Sequence, residues 1–164
     1  MEPEIVELTL PSRRLVGVSC EFVGSMEPNS DAKEFIPPTW GTLDELVHKN
    51  NLDHSWSIAV MTPSETPGKL TYTACVPQDD ATTTPDGMVE INFGGGTFVG
   101  CEHVGSLDTI GATTAWFYTE YLPDSTYRII EGPHLEIYDE RFDLGSPSSI
   151  VTICAPISGE PPLG

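Results

Sequence analysis

A carboxylate stands in the middle of an apolar, alternating run. In Pro133-His134-Leu135-Glu136-Ile137-Tyr138 the period of two is that of a strand, which puts His134, Glu136 and Tyr138 on one face and Leu135 and Ile137 on the other. A glutamate at such a place is costly to bury unless something pairs with it. A cationic ligand is such a partner, and aromatic faces beside it strengthen the attraction. The same pattern also fits an edge-strand glutamate lying in water, the commoner fate of a charged side chain. Rings are at hand: Trp40, Trp116, Phe117, Tyr118 and Tyr121 populate two helical stretches, and Tyr72 lies on a strand. At helical spacing such rings more often make core than cage. Trp116 and Tyr118, however, fall off the face that carries Phe117 and so point elsewhere.

Other chemistries find less support. The four histidines are scattered. His103, His134 and Glu136 fit one face, but no metal-ligand spacing is present, and no metal or cofactor is expected. Gly94-Gly95-Gly96 precedes neither a helix N-terminus nor a Lys-Ser/Thr pair, so it reads as a hairpin turn and not a phosphate cradle. There is no Gly-x-Ser-x-Gly of a serine hydrolase. The net charge of −18, from 7 Lys+Arg against 25 Asp+Glu, argues against direct nucleic-acid binding, which needs cations facing phosphates. It favours a cationic ligand or a basic partner, and it also suits plain solubility. The four cysteines lack zinc or redox spacing and read as free, buried thiols. Met1-Glu2-Pro3-Glu4 is acidic where a secretory leader is basic. No apolar run approaches the roughly 20 residues of a membrane span. A soluble, cytoplasmic protein is expected.

The elements that must position these residues come in two similar sets. Cys20-Glu21-Phe22-Val23-Gly24-Ser25 returns as Cys101-Glu102-His103-Val104-Gly105-Ser106, and Ala74-Cys75-Val76-Pro77 is echoed by Ile153-Cys154-Ala155-Pro156. In the first half the pattern predicts a strand over 13–23, a helix within 32–51 made firm from Pro37-Pro38 onward, and strands over 56–61 and 70–76. A polar linker over 78–87 follows. The second half predicts strands over 88–93 and 97–104, a helix over 107–122 stopped by Pro123, and strands over 133–138 and 150–155. The tail 158–164 reads as flexible. Pseudo-repeats of about 13–77 and 88–157, each strand–helix–strand–strand, make one α+β domain over 1–164. In it two main helices lie on one face of a curved antiparallel sheet, with a groove between the halves.

The order of motifs resembles the GyrI-like, or AraC-type effector-binding, domain, a SOUL-like duplication of the SHS2 unit. Leu70-Thr71-Tyr72-Thr73-Ala74-Cys75-Val76 resembles that family's "Arg-Tyr-Asp-Ala-Cys-Val" strand. Gly95-Gly96-Thr97-Phe98-Val99 with His103-Val104-Gly105 resembles its "Gly-x-Tyr-Ala-Val…His-x-Gly" segment. Tyr121-Leu122-Pro123-Asp124-Ser125-Thr126-Tyr127 resembles "Trp-Leu-Pro-x-Ser-Gly-Tyr", and Gly132-Pro133-His134-Leu135-Glu136-Ile137-Tyr138 resembles "Gly-Pro-x-x-Glu-x-Tyr". The resemblance implies a groove for bulky, amphipathic, often cationic molecules, with Glu136 as acidic anchor. Tyr72, Trp40, Trp116, Phe117 and Tyr138 are then the expected walls. Thr73 departs from the family's aspartate, and Thr126 from its glycine. Residues 26–36 form an acidic insertion placed to lid or to crowd the groove. No helix-turn-helix segment is present, so a stand-alone module is expected.

Binding without turnover is the leading expectation. The alternatives are a hydrolase of reactive cyclopropane-containing electrophiles, with Glu136 as general base and Tyr138 or Tyr72 as proton donor, and an acidic protein-interaction module of gyrase-inhibitor type. Monomer and homodimer both stay open.

Overall fold

The computed structural model of the chain describes residues 2–24, 26–27 and 29–159. Eight strands are present among them: β1 (Glu4–Leu10), β2 (Arg13–Phe22), β3 (Ser57–Pro63), β4 (Leu70–Pro77), β5 (Val89–Phe93), β6 (Gly96–Val104), β7 (His134–Tyr138) and β8 (Ile150–Pro156). They form one antiparallel sheet in the order β1-β6-β8-β7-β3-β4-β2-β5. The first helical rod is α1 (Ala32–Lys49). The second covers 107–124. It comprises a 3₁₀ turn Leu107–Thr109, the helix α2 (Ile110–Trp116), a π-helical turn Phe117–Tyr121 and a closing turn α3 (Leu122–Asp124). The architecture is α+β, as expected.

The connections force the sheet to curl. β1 and β2 are joined by Pro11-Ser12, and β5 and β6 by Gly94-Gly95, yet five strands separate the members of each pair. In a flat sheet each pair would stand roughly 29 Å apart at about 4.8 Å per strand, whereas two residues reach across only about 11 Å. The two ends of the sheet must therefore meet. Where they meet, the two links touch: a Cβ on Gly95, whose φ is +74°, would lie 2.5 Å from the Leu10 carbonyl oxygen. The triglycine is thus not the hairpin turn expected of it. β5 pairs with β2, and β6 with β1 and β8.

Curling gives the sheet an inside. Leu8, Leu15, Val60, Cys75, Phe93, Phe98, Leu135 and Cys154, one from every strand, join in a single apolar cluster there. The opposite face carries the helices. Leu43 and Val47 of α1 pack with Val16, Ala59, Tyr72 and Ala74. Phe117 and Leu122 of the second rod pack with Val99, Cys101, Ile153 and Ala155. The register puts these residues in shared cross-strand rows such as Cys101–Ile153–Glu136–Ala59–Ala74.

The order is palindromic when β2, β4 and β3 are exchanged for β6, β8 and β7. β1 serves the second half and β5 the first. Gly17 stands opposite Cys75, and Gly100 opposite Cys154. A Cβ on either would crowd the facing sulfur, at 2.9 and 3.2 Å. Cys20 lies three residues beyond Gly17, whereas Cys101 lies one beyond Gly100. The echo of Cys20 at Cys101 is therefore two residues out of step with the pairing.

Two further departures have local causes. α1 starts more than a turn ahead of Pro37-Pro38 and runs through them, because Ile36, Trp40, Leu43 and Val47 form a continuous inward stripe. β1 occupies residues left unassigned from the sequence. Its alternation is blurred, since Ile5 and Val6 are both half-buried. Ser158 donates from its N–H to the Arg128 carbonyl, and residues 160–164 of the expected flexible tail lie outside the described residues. Among the described residues, no helix is long and apolar enough to cross a membrane. All four cysteines are free, and three of them are buried.

Candidate functional site

β7 runs between β3 and β8, and β3 with β7 forms the seam between the two halves. Glu136 faces Ala59 across the seam, with Ala74 next in the row. Two alanines leave space above the sheet, and rings from neighbouring positions lean into it. Tyr72 and Tyr138 both donate their hydroxyls to one carboxylate oxygen, Glu136 Oε1, at 2.8 and 2.9 Å. Trp40 Nε1 in turn donates to the Tyr72 hydroxyl oxygen at 2.8 Å. The Trp40 ring meets Tyr138 edge-on, with centroids 4.7 Å apart. Phe22 and Phe142 brace Tyr72 and Tyr138 from behind, also edge-on. An aromatic collar thus surrounds a single carboxylate.

None of the ion pairs among the described residues involves Glu136. Burial pushes its carboxyl pKa up, against the opposing pull of the two tyrosine hydrogen bonds and of nearby His103. The tyrosines are pushed well above their ordinary range, first by burial and then by the carboxylate's charge. Oε1 takes both hydroxyls. The side chain is half-buried, and Oε2 accepts from neither tyrosine.

The second rod adds a polar pair beside the collar. The Tyr118 hydroxyl and His134 Nδ1 lie 2.6 Å apart, and burial lowers the His134 pKa, which keeps the ring neutral at pH 7. The His103 ring is held between Thr113 Oγ1 and the Ser106 carbonyl, each at 2.7 Å.

Of the expected walls, Trp40, Tyr72 and Tyr138 gather on Glu136. Phe117 does not: it is fully buried under the second rod and presents no surface. Trp116 does not either. The π turn brings residues five apart onto one side of the rod, so Trp116 stacks on Tyr121 with centroids 5.6 Å apart. It lines a separate surface pocket with Glu7 and Tyr127. Thr73 points to the inner face, where its hydroxyl pairs with Ser19, so the departure from aspartate there leaves the collar untouched. Phe22, Phe142 and the Tyr118–His134 pair were not anticipated. The hints were Tyr118's place off the Phe117 face and His134's place on the face of Glu136.

A curled eight-stranded sheet, two helical rods on its outer face and a carboxylate on the seam between them define an α+β small-molecule binding module. The chain belongs to the GyrI-like family: the GyrI-like small molecule binding domain matches residues 1–158. Solved structures agree on the fold. SAV2435 bound to tetraphenylphosphonium is 19% identical, with a TM-score of 0.67 over 97% of this chain and 95% of that one. The C-terminal domain of EcmrR is 14% identical, with a TM-score of 0.65 over 96% and 99%. A hydrolase from Listeria innocua is 16% identical, with a TM-score of 0.55 over 96% and 93%. No curated protein matches the chain.

Proposed function

We propose that this protein is a cytoplasmic binder of bulky, amphipathic organic cations, which it holds at the seam with Glu136 as counter-charge and Trp40, Tyr72 and Tyr138 as walls. One observation carries the reading: among the described residues, a carboxylate ringed by aromatic side chains takes part in no ion pair. Burying an unpaired carboxylate is costly, and a lipophilic cation seated against Oε2 relieves that cost while the rings supply cation–π attraction. The tetraphenylphosphonium bound to SAV2435 belongs to the same chemical class.

Hydrolysis is the second reading, favoured by the direct hydrogen bonds from two tyrosines to the carboxylate. A raised carboxyl pKa suits a general base working near neutrality. The same burial makes both tyrosines poor proton donors, so binding is the stronger reading.

The test is a tryptophan-fluorescence titration with tetraphenylphosphonium and with neutral triphenylphosphine oxide, on wild type and Glu136→Gln. A cation loses about 3 kcal/mol, roughly a hundredfold in affinity, when a close counter-charge is removed. The expected result is saturable quenching by the phosphonium alone, weakened by about that factor in the variant. Equal binding of both compounds, or an unchanged variant, removes Glu136 from the anchor role.

A further inference from the structure

We infer a second, independent site for small organic cations at the far end of the second helical rod. A surface pocket of about 710 Å³ opens there, lined by Trp116, Tyr121, Tyr127, Glu7, Glu120 and Asp124 together with Glu2, Ser125 and Thr126. Its basis is the pre-stacked aromatic wall. The π turn holds Trp116 on Tyr121 at 30° between planes, and Tyr121 in turn lies nearly parallel to the buried Phe117 ring, at 11°. Two half-buried rings are thereby locked in place before any ligand arrives. The Tyr127 hydroxyl donates to Glu7 Oε1 at 2.6 Å. That bond ties β1 to the loop after the rod and fixes the opposite rim.

The charge of the pocket has one sign. Among the described residues, no lysine, arginine or histidine lines it. Glu120 and Asp124, both exposed, line it together, and like charges gathered at one pocket repel. A cation seated between them and the rings relieves that repulsion and gains cation–π attraction from the indole, the strongest of the aromatic faces. The walls offer fixed rings and carboxylates in place of a deep apolar cavity. The matching ligand is therefore a compact quaternary or methylated ammonium group, and not the bulky lipophilic cation proposed for the seam. Trp116 makes no ring contact or hydrogen bond with the Glu136 collar, so occupancy here does not depend on Glu136.

The test uses choline and its uncharged carbon isostere 3,3-dimethylbutan-1-ol. Both are titrated into protein carrying ¹⁵N-labelled tryptophan, and the three indole N–H signals are assigned by single Trp→Phe variants. Choline is expected to shift the Trp116 signal saturably and to leave Trp40 in place, in wild type and in Glu136→Gln alike. The alcohol is expected to bind about tenfold more weakly or worse. The double variant Glu120→Gln/Asp124→Asn is expected to weaken choline about tenfold and to leave the alcohol unchanged. Both changes are on the surface and relieve repulsion, so folding is retained. A Trp116 signal that choline leaves in place, equal binding of the alcohol, or an unaffected double variant overturns the site. Loss of the Trp116 shift in Glu136→Gln overturns its independence. A failed phosphonium titration at the seam leaves these outcomes as they are.

Discussion

Two carboxylates lie largely out of water on the central strands of this sheet, and they are treated in opposite ways. Glu102, on β6, points to the inner face in the row with Thr152, Ile137 and Ile58. Arg141 reaches it from the loop after β7, and the same guanidinium also holds Asp139 and Thr152. Glu136, one strand beyond β8, points to the outer face and receives only hydroxyl groups. Both are hydrogen-bonded, and only one is neutralised. A carboxylate that the fold needs for its own stability is given a cation. One that is left with hydroxyls alone retains a net charge in a poorly hydrated place. This contrast, more than burial itself, is what the binding role proposed for Glu136 rests on.

The contrast is broken most forcefully by removing the cation. Arg141→Met leaves Glu102 unpaired and is expected to destabilise the fold by about 2–3 kcal/mol, since the guanidinium is itself partly exposed. Urea unfolding measures this, and Glu102→Gln added to the variant is expected to recover most of the loss. The converse change gives Glu136 a resident cation. Met61 lies on the same face of β3, two residues from the Ala59 that faces Glu136. Met61→Lys is expected to lower phosphonium affinity by about tenfold or more, as read by the same fluorescence titration.

Acidity sharpens the comparison. The Glu136 carboxyl is raised above its unfolded value, so the folded state holds its proton more tightly. The native fold therefore loses stability as pH climbs from the unfolded pKa to the folded one. Glu136→Gln is expected to be more stable than wild type at pH 7, with the gap closing on acidification. Cation affinity runs the other way: it is present above the raised pKa and fades as pH falls through it, in wild type only. Thermal unfolding and binding across pH 4–8 read both trends. The smallest expected effect is that of Trp40→Phe. It removes one N–H donor from Tyr72 and keeps most of the ring contact with Tyr138, for about 1 kcal/mol or less of stability and a few-fold in affinity.

Much of this was legible in the residues. Alternation in Leu70–Pro77 and His134–Tyr138 marked β4 and β7 and put Glu136 and Tyr138 on one face, as found. The helical pattern within 32–51 marked α1 and placed Trp40 on it. What failed was whatever depends on partners distant in the chain. Gly94-Gly95-Gly96 looks like any hairpin turn, because nothing local to it says that β5 belongs beside β2. Trp116 and Phe117 were expected as walls from the family resemblance; helical spacing had already set Trp116 off the face that carries Phe117, and Phe117 lies buried under the rod. The placement of Tyr72 beside Glu136 depended on the small Ala59 of the neighbouring strand β3, which one strand's pattern does not report.

The exchange of edge strands also has a consequence in time. β1 leaves the ribosome well before its partner β6, which begins only at Gly96. At about 5–20 residues per second the interval is roughly 5–20 s, during which the strand has a free edge on both sides. Glu4 and Glu7 lie along it, exposed, and charged side chains at such places discourage pairing with strangers. Part of the chain's acidity thus acts as a guard on an unfinished molecule, and afterwards on the edge that β1 keeps in the finished sheet.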